Sequence, residues 1–264
     1  MRVTIVIPAR YASSRFPGKP LAPLVGATGV SKPLIERSWE AAKQVADADQ
    51  VVVATDDTRI REAAEQFGAE VVMTSENCAN GTERCADALD ALGATDLVVN
   101  LQGDAPLTPP WFVEALISEM RARPEVSVAT PVLRCDRGAY EGFRADRAAG
   151  RVGGTTAVFT ETGRALYFSK EVIPFVARDF DDDDCPVFHH VGVYAYRPDA
   201  LAAYMTMPET RLEREEGLEQ LRFLAHDHPV HCVSVDARGA DFWELNNPED
   251  TPKIEAVLKA RGTI

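Results

Sequence analysis

Three cations, two hydroxyls and several small residues follow the first apolar run of this chain. Arg10, Ser13, Ser14, Arg15, Gly18 and Lys19 fall within ten positions, directly after the run at 3–7. A buried strand that opens into such a loop is built to meet a polyanion. Arg10, Arg15 and Lys19 neutralise phosphates, while the backbone of Pro8, Ala9 and Arg10 lies close enough to approach a base. A second strand ends in Asn100, Leu101, Gln102, Gly103 and Asp104. It predicts a single carboxylate, Asp104, beside the cationic loop, and magnesium favours one or two carboxylates together with phosphate oxygens. Gly81 and Thr82 carry a helix-start signature, whose free N–H groups suit a ribose or base edge. The loop has neither the GxxxxGK[ST] spacing of a P-loop nor a GxGxxG fingerprint, so neither of those nucleotide folds is indicated.

The elements that must hold these loops alternate in type. Strand patterns at 3–7, 50–55, 69–74, 96–101 and 126–132 are separated by helix patterns at 34–46, 58–67, 82–92 and 111–123. Continuous β-branched runs between helices mark a parallel sheet covered on both faces. In such sheets ligands bind beyond the carboxyl ends of the strands, where the loops above lie. Residues 1–135 therefore read as one doubly wound half. Residues 136–153 show little periodicity. Strands at 155–159, 165–169, 191–196 and 230–235 then suggest a mixed extension, with helices at 212–225 and 252–260. The fold class expected is α/β, with a mostly parallel doubly wound sheet and a mixed C-terminal extension.

Composition narrows the class. The chain has 264 residues and 45% apolar side chains, enough for a full core. A net charge of −13 argues against nucleic acid and anionic membrane as partners. It also makes the cationic loop a local feature. No apolar run reaches the roughly 20 residues of a membrane span, and Met1 leads almost at once into a strand, so a cytoplasmic location is expected. Cys78, Cys85, Cys135, Cys185 and Cys232 are scattered and odd in number, which fits reduced thiols. The acidic run at 181–184 reads as a solvated loop tip.

With these motifs in order, together with the segments around Tyr167, His190, Tyr194 and Gln220, the chain resembles the 3-deoxy-manno-octulosonate cytidylyltransferases over about residues 1–258. The resemblance implies a glycosyltransferase-A-like nucleotidyltransferase fold and a homodimer. It implies transfer of CMP from CTP to an acid sugar, with magnesium and release of pyrophosphate. By matched motif, Arg10, Lys19 and Asp104 are the expected catalytic groups. Ala9, Arg10, Ser13, Arg15, Lys19, Gly81, Thr82, Arg84 and Gln102 would bind CTP. His190, Tyr194, Glu219 and Gln220 would hold the acceptor, and Asp104 with Asn246 the metal.

The chain departs from the family pattern at three places. Ala105 stands for a glutamate, Asn246 for a metal-binding aspartate and Thr156 for a lysine. An inserted-looking stretch adds Arg144, Arg147 and Arg151. Two carboxylates are thus lost near the expected reaction centre, which suggests an alternative acceptor that is smaller and more anionic, such as phosphonoformate. Retention of a sugar acid, with Asn246 binding metal through its carbonyl or with Glu249 or Asp250 substituting, is the competing expectation. A non-catalytic nucleotide sensor is the alternative of another class.

Overall fold

The computed structural model describes residues 1–12, 16–152 and 154–264. In chain order the strands and helices are β1 (Val3–Ala9), β2 (Pro23–Val25), β3 (Ser31–Pro33), α1 (Leu34–Lys43), β4 (Gln50–Thr55), α2 (Thr58–Gln66), β5 (Glu70–Met73), α3 (Gly81–Leu92), β6 (Leu97–Leu101), α4 (Pro110–Ala122) and β7 (Val128–Arg134). The second half adds α5 (Arg137–Ala148), β8 (Thr155–Phe159), β9 (Ala165–Ser169), β10 (Phe188–His190), β11 (Val193–Tyr196), α6 (Pro198–Thr206), α7 (Arg211–Glu216), α8 (Leu221–Ala225), β12 (His231–Val235) and α9 (Thr251–Ala260).

One sheet runs in the order β5-β4-β1-β6-β11-β7-β10-β8-β9, with β12 added to β7. β5, β4, β1 and β6 are parallel, and β12 is parallel to β7. All seven residues of β1 are buried. Its side chains alternate between two cores, as the period of a strand demands. Val3, Ile5, Ile7 and Ala9 face Ile35 of α1 and Phe112, Leu116 and Met120 of α4. Val6 faces the other way, into the cluster of Cys85, Ala88 and Leu92 from α3 and Leu201 and Tyr204 from α6. This two-sided burial is what the continuous β-branched runs encoded.

β11 inserts antiparallel between β6 and β7, pairing Val193 with Leu101 and Ala195 with Ala129. The carboxyl ends of β1, β4 and β6 therefore share one edge of the sheet with the start of β11. β10 is the preceding piece of the same run and swings across to β8, pairing His190 with both Val132 and Thr155. The break between β10 and β11 falls at Val191 and Gly192, on that edge.

Two stretches differ from the expectation. The helix expected over 212–225 is two short helices, because Gly217 takes a left-handed conformation (φ 61°) that ends α7. The interruption carries Glu219 and Gln220 on a non-helical turn. The aperiodic stretch after 136 forms α5, N-capped by Asp136, which accepts from Ala139 N at 2.7 Å. α5 has no fully buried residue; its short apolar face of Ala139, Tyr140 and Phe143 rests partly buried on Phe180, Cys185 and Val187. The arginines in and just after it are engaged: Arg147 pairs with Glu171 beyond β9, Arg151 with Asp146, and Arg144 lies over Tyr140.

A third core joins the two ends of the chain. Leu24 and Leu34 pack with Leu107, Leu245, Ile254 and Leu258. α9 thereby docks on β2, and Glu255 accepts from Val25 N at 2.9 Å. This docking draws the segment before α9 across the ligand edge of the sheet. No helix is long and apolar enough to cross a membrane, among the described residues.

Candidate active site

The edge where β1, β6 and β11 meet carries the expected residues in two groups. The first is charged and open. Gly18 N–H donates to Tyr11 O at 3.0 Å and closes the base of the loop after β1. Lys19 then projects onto Asp104, Nζ to Oδ2 2.5 Å. Both side chains are partly exposed, so the pair is reachable from solvent. Arg10 is exposed at the end of β1 and donates to Ala79 O at 3.4 Å. Ala9 is buried beneath it. Ser13 and Arg15 lie outside the described residues.

The turn of Asp104 is fixed from below. A Cβ on Gly103 would come within 2.7 Å of Pro8 O, so only glycine lets this turn lie against the end of β1. Ser38 Oγ donates to Gly103 O at 2.9 Å and secures it from α1. Gln102, half-buried, donates to Asn100 Oδ1 at 3.2 Å.

Gly81 and Thr82 form the first turn of α3, capped by Asn80 through Glu83 N at 2.9 Å. Arg84 is buried behind this turn. Its guanidinium donates to Thr74 Oγ1 at 2.6 Å and faces Asp56 at 3.5 Å. It therefore braces the ends of β4, β5 and α3 against one another.

The second group is buried. His190 Nε2 lies 2.9 Å from Thr130 Oγ1, whose hydroxyl donates to Val193 O at 2.8 Å. The hydroxyl oxygen thus accepts from Nε2–H, which leaves Nδ1 as the acceptor of a neutral ring. Burial, with His189 adjacent, pushes the His190 pKa down to about 3. The ring packs between Phe168 and Tyr194. Tyr194 O–H donates to Gln220 Oε1 at 3.0 Å. Glu219 accepts from Thr82 N at 3.1 Å, so its carboxylate sits at the N-terminus of α3. Burial lifts its pKa to about 7 against that favourable hydrogen bond. Behind it, Arg222 makes two hydrogen bonds to Glu213, at 2.8 and 2.6 Å, and one to Glu83 at 3.0 Å.

One acidic residue at this edge escaped the sequence reading. Leu245 N donates to Asp104 O at 2.8 Å, which pins the segment before α9 to the Asp104 turn. Leu245 is buried in the third core, and its neighbours Glu244 and Asn246 interact with each other beside that turn. Burial, then the charge of Asp104, raises the Glu244 pKa to about 7, and Lys19 and Asn246 oppose the rise. The available signal was the buried leucine between two polar residues, since alternate residues of an extended segment share a side. The loss of carboxylates inferred from Ala105 and Asn246 is therefore offset: Ala105 is buried, and Glu244 brings a carboxylate to the same edge.

The arrangement joins an anion-binding loop, a carboxylate beside a lysine and a neutral, hydrogen-bonded wall. The chain also matches the sequence pattern described as cytidylyltransferase over residues 4–229. The chain belongs to this family.

It is 44% identical to the 3-deoxy-manno-octulosonate cytidylyltransferase of Maricaulis maris over 265 residues, covering 100% of both chains. It is 43% identical over 261 residues to the 8-amino-3,8-dideoxy-manno-octulosonate cytidylyltransferase of Shewanella loihica, covering 98% of this chain and 99% of the other. The structure is similar to that of a CMP:2-keto-3-deoxy-manno-octonic acid synthetase complexed with CTP. The TM-score is 0.84 at 35% identity, with 99% of this chain and 100% of that one covered. The protein is thus a cytidylyltransferase with a nucleotidyltransferase fold. These relatives are named for sugar acids, and they lend no support to the phosphonate acceptor; the carboxylate of Glu244 removes the electrostatic reason for it.

Proposed function

We propose that this cytidylyltransferase transfers CMP from CTP to 3-deoxy-manno-octulosonate or a closely related 2-keto sugar acid. The observation that carries this reading is the Lys19–Asp104 pair at the parallel-strand edge, which the start of β11 shares with the neutral group of His190, Tyr194 and Gln220. The relatives in the comparison carry the same acceptor class in their names.

The loop after β1, with Arg10, Ser13, Arg15 and Lys19, holds the triphosphate. Ala9, Gly81, Thr82 and Gln102 take the nucleoside side, with Arg84 bracing their frame. His190, Tyr194, Glu219 and Gln220 form the acceptor side. In the reaction the acceptor's hydroxyl oxygen bonds to the α-phosphorus as the bond to the β-phosphate bridging oxygen breaks. The hydroxyl proton passes to solvent, and the bond electrons leave with pyrophosphate. Arg10, Arg15 and Lys19 stabilise the charge that grows on the leaving group. Positioning supplies much of the remaining rate.

Magnesium fits the donor set. Asp104 offers hard carboxylate oxygen, Asn246, in the segment pinned to the same turn, could add an amide oxygen, and triphosphate oxygens would complete a shell that magnesium prefers. Among the described residues no group of three or more histidine, cysteine or acidic side chains is arranged to hold a metal by itself, which suits a cation carried largely by phosphate. When bound, it would neutralise phosphate oxygens and so favour attack.

We place CTP binding in residues 1–135 and acceptor binding and dimerisation in 136–264. A homodimer is supported by the apolar exposure of Leu166 on the edge strand β9 and of Phe175 beyond it. A cytoplasmic setting is supported by five cysteines that are all free thiols.

The test is pyrophosphate release from each of CTP, UTP, ATP and GTP in the presence of 3-deoxy-manno-octulosonate and Mg2+. Release with CTP alone among the four, with formation of the CMP-sugar, is the expected result. Absence of release with this acid and its 8-amino analogue contradicts the assignment.

A further inference from the structure

We infer that Glu244 is the second carboxylate of the divalent-cation site, acting with Asp104 on the same ion. The inference rests on the cytidylyltransferase reading above and names a residue to which that reading gave no part.

Position comes first. The Leu245 N–H bond to Asp104 O, 2.8 Å, locks the backbone at 244–246 against the Asp104 turn. Leu245 is held in the core by Ile254 and Leu258 of α9, so the segment has little freedom to leave. Glu244 Oε1 lies 3.2 Å from where a Cβ on Gly192 would stand. The carboxylate therefore fills the notch between β10 and β11, on the ligand edge of the sheet and close to Tyr194.

Charge comes second. Asp104 has Lys19 at 2.5 Å, whereas Glu244 makes no ion pair within 4.0 Å among the described residues. Its one described polar neighbour of note is the amide of Asn246. Two carboxylates thus share one ammonium in a partly buried place, and their mutual repulsion is what a divalent cation relieves. Once the triphosphate arrives, Lys19 has phosphate oxygens to bind, and both carboxylates are released to the ion.

The other acidic candidates in this turn are already committed. Asp250 Oδ2 accepts from Asn247 N at 2.8 Å and Asn246 N at 3.1 Å, and its Oδ1 accepts from Trp243 Nε1 at 3.3 Å. Glu249 is exposed. Hard oxygen donors from one or two carboxylates suit Mg2+ or Mn2+ and give the open shell that phosphate must enter.

The experiment is a Mn2+ titration, followed by the electron paramagnetic resonance of free Mn2+. The protein is first saturated with a CTP analogue whose α–β bridge is methylene. Wild type, Glu244→Gln and Glu244→Gln/Asn246→Asp are compared, with thermal melts to confirm folding and Glu244→Asp as a second variant. Glu244→Gln is expected to weaken Mn2+ binding by roughly tenfold or more, because a charged ligand is lost. Metal-free affinity for the analogue should not fall. Restoring a carboxylate to the same turn through Asn246→Asp should recover Mn2+ affinity. Wild-type Mn2+ affinity in the folded Glu244→Gln variant overturns this inference and leaves the enzymatic reading intact. Failure of wild type to bind Mn2+ with the analogue overturns the metal reading and this inference with it.

Discussion

The two groups of residues at the ligand edge of the sheet solve opposite electrostatic problems. The side built by β1 and β6 places Arg10, Lys19 and Asp104 within reach of water. The side built by β10, β11 and the turn before α8 buries His190, Tyr194 and Gln220 and pairs them internally. Charge is kept where it changes during phosphoryl transfer, and neutrality where a sugar must be shaped and oriented. A buried, largely paired polar wall fixes geometry without competing for the phosphates, and leaves the Gln220 amide nitrogen unpartnered among the described residues.

This contrast gives expectations of decreasing size. Asp104→Asn should lower kcat about 10³-fold, near 4 kcal/mol, because it removes an interaction strengthened in the transition state. The check is steady-state pyrophosphate release, with CTP affinity measured separately. Arg222→Ala acts behind the buried wall and should destabilise the fold by about 3 kcal/mol, since it strands Glu213. Urea unfolding reads this directly. Tyr194→Phe should raise KM for the sugar acid about tenfold, leaving KM for CTP unchanged, through loss of the bond that orients Gln220. An equal rise in both constants would break the division between the two sides.

The pH response of stability sharpens the same contrast. The folded pKa of His190 is about 3, below the ordinary 6.5. Between those values the unfolded chain binds the extra proton, so stability is present above pH 6.5 and is lost as pH falls towards 3. Glu219 acts in reverse, with its pKa raised from 4.5 to about 7. Its contribution falls as pH rises through that window. Relative to wild type, His190→Asn should flatten the acid limb of a plot of Tm against pH, and Glu219→Gln the limb between pH 4.5 and 7. Unchanged slopes in both would show that the wall is hydrated.

The first side was legible in the sequence because its signals are local. A run of β-branched residues gives the strand, and the residues that follow it give the chemistry. Lys19 and Asp104 are 85 positions apart, yet each sits just after a parallel strand, and parallel strands share an edge. The second side depends on placement that no short segment encodes. The resemblance supplied His190, Tyr194, Glu219 and Gln220, but not the insertion of β11 between β6 and β7 or the break at Gly217 that presents the last two. Glu244 was missed because its position depends on α9 returning to β2, a contact between the two ends of the chain. α5 was missed because its apolar face is short: Ala139, Tyr140 and Phe143, set among charged and small residues, rest only partly buried on Phe180, Cys185 and Val187.

The most direct test of the account is a double-mutant cycle on Lys19 and Asp104, read by pyrophosphate release from CTP with the sugar acid. If the pair is the reaction centre, Lys19→Ala and Asp104→Asn each lower kcat strongly, and the double variant is scarcely slower than the worse single one, as groups acting as one unit behave. Losses that multiply, or turnover that survives both changes, would contradict it.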